Sequence, residues 1–196
     1  MTIKMRNLRV TTTIMAMAFV GLTTMSCKDG KKEDSSVTTD SEVSQEQASA
    51  STSDVQNPES QQVVADYMAL KDALVATDEK AAVDAGKKLE STLKSFKLDS
   101  YTSDEQKELQ EIVESATEHA EHIGRSDMAH QREHFQMLTK DVTDMVAITG
   151  TASTLYQQFC PMYGEGGAWL SMEKEIRNPY FGSKMMKCGE VQKEIN

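Results

Sequence analysis

From Gln61 to Thr149 apolar side chains return every three or four residues, a period that commits this stretch to amphipathic helices. Val63, Tyr67, Leu70 and Leu74 make the first stripe. Thr77 is a candidate N-cap for a second helix, with Asp78 and Glu79 complementing its dipole. Leu89, Leu93 and Phe96 continue that helix. Ser103 with Gln106 fits a capping box, after which Leu109, Ile112, Ala116 and Ile123 share a third face. Gly124 is the expected break and Ser126 the next N-cap. A fourth helix then carries Met128, Phe135, Leu138, Val142 and Met145 to about Thr149. Four such helices with short connections predict an all-α fold, an antiparallel helical bundle. Beyond it, aromatic and glycine clusters at Tyr156 to Met162, Gly164 to Trp169 and Asn178 to Gly189 break the period. They predict an irregular, cysteine-containing C-terminal segment of loops and short helical turns, folded back on the bundle. The expected domain covers residues 61–192.

The chain ahead of it is of two other kinds. Residues 1–27 have a basic start (Lys4, Arg6, Arg9), an apolar run from Ile14 to Leu22, and a small, polar stretch from Thr23 to Cys27. That is the layout of a secretory signal, too short for a membrane-spanning helix. Its end, Ser26 and Cys27, resembles a bacterial lipobox, which makes Cys27 the expected lipidation site. Residues 28–60 are rich in Ser, Thr, Asp, Glu and Gln and nearly devoid of large apolar side chains. Such a stretch cannot offset the entropy of ordering itself, and predicts a disordered polar tether between lipid and domain. The expected place is the bacterial cell envelope, with the chain lipid-anchored in the outer membrane.

Charge narrows the partners. The chain has 21 basic and 31 acidic residues, a net charge of -10. Three of the basic residues and none of the acidic ones precede Cys27, so the remainder is more acidic still. Nucleic acid, which is held by Lys and Arg on phosphates, is excluded as a partner. The membrane is reached through the anchor, since an acidic body does not adhere to anionic lipid. A field of this sign attracts cations.

With Cys27 committed to lipid, Cys160 and Cys188 remain. In an oxidising compartment two cysteines read first as a disulfide. The competing reading is metal ligation, because Cys160 opens a Cys-Pro-Met run ending at Met162 and Cys188 follows Met185 and Met186. Thiolate and thioether favour Cu(I) and other soft ions. All four histidines fall in one window. His119 and His122 lie three apart, His130 and His134 four apart, so each pair shares a helix face. A tight hairpin at Gly124 would bring the pairs together as a group of imidazoles, the commonest metal ligands. The Met and Cys context favours His130 and His134, whereas His119 and His122 read as a solvated face. The glycines at 164, 166 and 167 lack the Lys-Ser/Thr of a phosphate loop. There is no nucleophile elbow and no Cys-x-x-Cys, so no enzyme activity is expected.

Five segments, DMAHQREHF (Asp127 to Phe135), YQQFCPM (Tyr156 to Met162), GAWLS (Gly167 to Ser171), EIRNPYFG (Glu175 to Gly182) and MMKCGEV (Met185 to Val191), occur in order. Through them the chain resembles a Bacteroidota lipoprotein family catalogued as domain of unknown function 3347, over roughly residues 61–192. The resemblance implies an association with heavy-metal efflux components. The Cys-Pro-Met run is also similar to metal-binding segments of copper and silver efflux adaptors, with Tyr163 here where those have His. Carried onto this sequence, the implied metal ligands are His130, His134, Cys160, Met162 and Cys188. The expected function is an extracytoplasmic lipoprotein that binds copper, as Cu(I), or another soft heavy-metal ion, for buffering or hand-over to efflux. The alternative is a disulfide-stabilised helical interaction module with no metal.

Overall fold

The computed structural model describes residues 57–196. The expected signal, Cys27 and all but the last four residues of the expected tether lie outside the described residues. Four helices come first: α1 (Pro58–Ala76), α2 (Glu79–Lys94), α3 (Ser103–Ile123) and α4 (Met128–Thr149). Among the described residues no helix is long and apolar enough to cross a membrane.

The caps explain where the helices begin. Asn57 accepts from the Glu59 N–H at 2.9 Å and Pro58 follows it, so α1 starts three residues ahead of the expected boundary. The cap of α2 is Asp78, because Thr77 is already used to end α1 in a left-handed conformation (φ 57). The capping box of α3 is Thr102 with Glu105 rather than Ser103 with Gln106. Asp127, not Ser126, caps α4, accepting from the Ala129 and His130 N–H groups at 3.1 Å. Each of these three shifts is one residue, at places where two cap-forming side chains stand next to each other.

Consecutive helices pack side by side and α4 also contacts α1. Ser115 meets Asp141 and His119 meets His134, so α3 and α4 run antiparallel from the turn at Gly124. Tyr67 ties three elements together. Its ring stacks on Phe135 (5.2 Å), its hydroxyl bonds Thr139 Oγ1 (2.8 Å) and it accepts from the Leu170 N–H (3.1 Å). Thr139 donates its one hydroxyl hydrogen to the Phe135 carbonyl, so in the Tyr67–Thr139 bond it is Tyr67 that donates. Leu70, Leu74, Leu89, Leu93, Leu109, Ile123 and Leu138 complete an aliphatic core, each with no more than 1% of its surface exposed.

The C-terminal segment corrects the all-α expectation. It holds β1 (Leu155–Cys160), β2 (Gly167–Ser171) and β3 (Glu190–Ile195), an antiparallel sheet in the order β2-β1-β3. Two features hide it from the sequence. The register of β1 against β3 shifts between Gln157 and Gln158, and the buried inward residue there is polar. The Gln158 amide nitrogen donates to the Glu173 and Glu175 carbonyls at 2.8 and 3.2 Å, while its buried Oε1 has no partner among the described residues. The second feature is β3 itself (EVQKEI), which is exposed along almost its whole length and has no apolar face to announce it.

Cys160 and Cys188 form a disulfide, with Cα atoms 5.7 Å apart, between the end of β1 and the segment leading into β3. Asn178, fully buried, organises that segment by donating to the Cys188 carbonyl (2.8 Å) and accepting from the Tyr180 and Phe181 N–H groups. At Gly182 (φ 53) a Cβ would run into Thr77 Oγ1, so only glycine lets this segment dock against the end of α1. The disulfide spans 28 positions of sequence. A Cys160→Ser, Cys188→Ser double variant is therefore expected to lose about 3–4 kcal/mol of unfolding free energy by the chain-entropy argument. Non-reducing urea titration measures it, and an unchanged midpoint would show that the bridge adds nothing.

Candidate metal centre

The turn joining α3 to α4 is held from below by α2. A Cβ on Gly86 would stand 2.9 Å from both the Gly124 nitrogen and Ile123 Cγ2, so only glycine lets α2 approach this closely. Buried Gln131 donates to the carbonyls of Ser126 (2.9 Å) and Glu79 (3.2 Å), and Glu79 Oε2 accepts from the Met128 N–H (3.0 Å). With the turn fixed, the helical spacing places His119 and His122 on α3 opposite His130 and His134 on α4.

The four imidazoles form one connected group. His134 Nε2 lies 3.0 Å from His130 Nε2, and His134 Nδ1 lies 3.0 Å from His119 Nδ1. The His122 ring is stacked on that of His134, with centroids 4.3 Å apart. His122, His130 and His134 each offer a ligand nitrogen, and the three nitrogens lie within 4.8 Å of one another. Two nitrogens bound tetrahedrally to one zinc-sized ion at about 2.0–2.1 Å are about 3.3 Å apart, so the His130–His134 separation is close to that of a shared ion. His130 is exposed, while His122 and His134 are half-buried, so an ion can reach the group from solvent.

Carboxylates flank the group. Glu133 Oε2 lies 3.2 Å from His130 Nδ1. A carboxylate only accepts, so His130 carries its hydrogen on Nδ1 and its lone pair on Nε2. Asp141 accepts from Ser115 Oγ at 2.8 Å and stands 3.9 Å from His119 Nε2. Burial, ahead of the opposing Ser115 bond, raises its carboxyl above the ordinary value. Arg125 donates to His122 Nε2 (3.2 Å) while paired with Glu121 (2.6 Å). It therefore competes with any cation for that lone pair. Burial first, and then His122, His130 and His119, lower the His134 pKa to about 4. At neutral pH His134 is an uncharged imidazole, the form that ligates.

Of the five ligands read from the sequence, the structure brings together two, His130 and His134. The cysteines are joined to each other, so neither offers a thiolate. They also lie across α4 from the imidazoles. Arg132 and Gln136 donate to the Pro179 and Gly166 carbonyls of the C-terminal segment. Those side chains stand two residues beyond His130 and His134, about 200° around the helix. Met162 is 62% exposed in the connection between β1 and β2. The structure does not bring Cys160, Met162 and Cys188 together with the histidines. With His130 and His134 it groups His122, and His119 at the edge. The confinement of all four histidines to one window around Gly124 was the signal that pointed to both.

Residues 63–154 match the model of a family described as protein of unknown function (DUF3347). This span is shorter than the 61–192 that the sequence motifs implied. It runs from within α1 to the residue before β1, and holds every histidine and neither of the paired cysteines. No curated protein and no solved structure matches the chain.

Proposed function

We propose that this chain is a metal-binding lipoprotein of the bacterial cell envelope, anchored through Cys27, that takes up copper or another late transition-metal ion for buffering or hand-over to an efflux system. The observation that carries the metal reading is the convergence of His122, His130 and His134 nitrogens within 4.8 Å at a solvent-accessible helix hairpin. Imidazole suits copper, zinc and nickel. The acidic net charge favours a cation, and the basic, apolar and lipobox-like parts of residues 1–27 support export and anchoring. No residue of the group is arranged as a nucleophile with its base, in keeping with a binding rather than a catalytic role.

The disulfide favours a second reading, an interaction module that the bridge stabilises and that holds no metal. The two are separated by titrating the purified chain with Zn(II) and with Cu(II) against a chromophoric chelator. One ion per chain, bound tighter than by a His122→Ala, His130→Ala, His134→Ala triple variant, is the expected result. Equal, weak binding by both proteins would end the metal reading and leave the interaction module.

A further inference from the structure

We propose, resting on the metal reading above, that Asp141 and His119 form an outer relay that positions His134 to ligate through Nε2, giving a three-imidazole site for one divalent ion of the copper, nickel and zinc class. His119 is a positioning residue here and not a fourth ligand.

The argument starts from the two faces of the His134 ring. Its Nε2 faces His130 Nε2 and its Nδ1 faces His119 Nδ1, each at 3.0 Å. The two nitrogens of an imidazole point away from each other across the ring. An ion bound at His134 Nε2 therefore lies on the side away from His119, in keeping with the convergent set of His122, His130 and His134. An ion between His119 and His134 would find only those two nitrogens, since Asp141 stands at the other nitrogen of His119.

Hydrogen placement follows from the carboxylates. Asp141 Oδ2 is 3.9 Å from His119 Nε2 and is held in place by the Ser115 hydroxyl. At this distance the carboxylate does not hydrogen-bond His119, but its charge favours the tautomer with hydrogen on Nε2 and the lone pair on Nδ1. That lone pair accepts from His134 Nδ1–H, which leaves the His134 lone pair on Nε2. On the other side, Glu133 fixes the lone pair of His130 on Nε2. Without an ion, the 3.0 Å contact is a hydrogen bond that uses the hydrogen of one Nε2; with an ion both lone pairs face it, and His119 accepts the His134 hydrogen at the far nitrogen. Metal-bound histidines are ordinarily oriented in this way, by an acceptor on the nitrogen that does not ligate.

The ligand chemistry selects the ion. Both described cysteines are spent on the disulfide, and Met137, one turn beyond His134, lines the cleft between α4 and the β1–β2 hairpin. Three imidazoles are borderline ligands, suited to divalent ions of the late first row rather than to Cu(I) held by sulfur. Three protein ligands also leave a coordination position open to water or to a group of a receiving protein, as hand-over requires.

The test is Cu(II) titration of the purified chain, with affinity read by chelator competition and nitrogen ligands counted by electron paramagnetic resonance. The unsubstituted chain is expected to bind one ion with three nitrogens. His119→Ala is expected to weaken binding about 10–100-fold with the three-nitrogen spectrum kept. In His119→Asn the amide oxygen can stand where Nδ1 stood, so most of the affinity should return. Asp141→Asn should weaken binding in the same direction as His119→Ala, and circular dichroism of each variant confirms the fold. Loss of a nitrogen coupling in His119→Ala would make His119 a ligand and overturn the relay, as would unchanged affinity in folded His119→Ala and Asp141→Asn. Failure of the unsubstituted chain to bind any ion overturns instead the metal reading on which the relay rests.

Discussion

His134→Ala is expected to lower divalent-metal affinity by at least about 100-fold, whereas the Cys160→Ser, Cys188→Ser double variant binds as the unsubstituted chain does. His134 is the centre of the imidazole group. It is within 3.0 Å of one neighbour through each nitrogen and stacks on a third ring. Its removal deletes one of the three proposed ligands and leaves His119 nothing to position. Loss of an outer-shell partner alone typically costs 10–100-fold, and loss of the ligand it supports should exceed that. The fold should tolerate the change. His134 is only half-buried and stands outside the hydrophobic core, so its truncation leaves no core cavity. Calorimetric titration with Zn(II) and a thermal melt of the metal-free protein read the two quantities separately. If the cysteine variant loses the metal and His134→Ala keeps it, the sulfur-ligand site expected from the sequence is restored and the imidazole site falls.

The outcome bears on how the site was readable. Helix number and the approximate ends of α2, α3 and α4 follow from apolar period and cap chemistry, because the core is aliphatic and each helix buries one stripe. The hairpin at Gly124 is legible for the same reason, and with it the approach of the two histidine pairs. What the sequence could not settle was which neighbours the histidines would have. Cys-Pro-Met beside the C-terminal sheet looks like soft-metal chemistry when read alone. Only the placement of Arg132 and Gln136 against that segment shows that α4 stands between the cysteines and the imidazoles. The strands were hidden by physics of a different kind. A register shift puts Gln158 in the interior, and β3 pairs through its backbone while its side chains stay in water.

That sheet has its own anchor, and its removal gives the second large effect: Trp169→Ala is expected to cost about 3–5 kcal/mol of stability. Trp169 is fully buried in β2, opposite Gln158 in the register with β1, and meets the Tyr180 ring edge-on at 6.1 Å. The chain closes over it at Gly189, where an added Cβ would stand 2.8 Å from Trp169 Cη2. The cavity left by alanine therefore lies under the disulfide-linked segment, whose covalent closure limits how far it can collapse into the space. Trp169→Phe should cost much less. The indole Nε1–H is buried with no partner among the described residues, and phenylalanine removes that unpaired donor along with some packing. An unsatisfied buried polar group costs about 1–3 kcal/mol, so its loss offsets part of the smaller ring's deficit. Urea unfolding of both variants measures the pair, and a phenylalanine variant as unstable as alanine would show that the indole N–H is satisfied after all. β2 packs on the face of α4 turned away from His130 and His134, so whatever fraction of Trp169→Ala remains folded is expected to bind metal with unaltered affinity. Weakened binding by that folded fraction would mean that the sheet supports the imidazole group through α4.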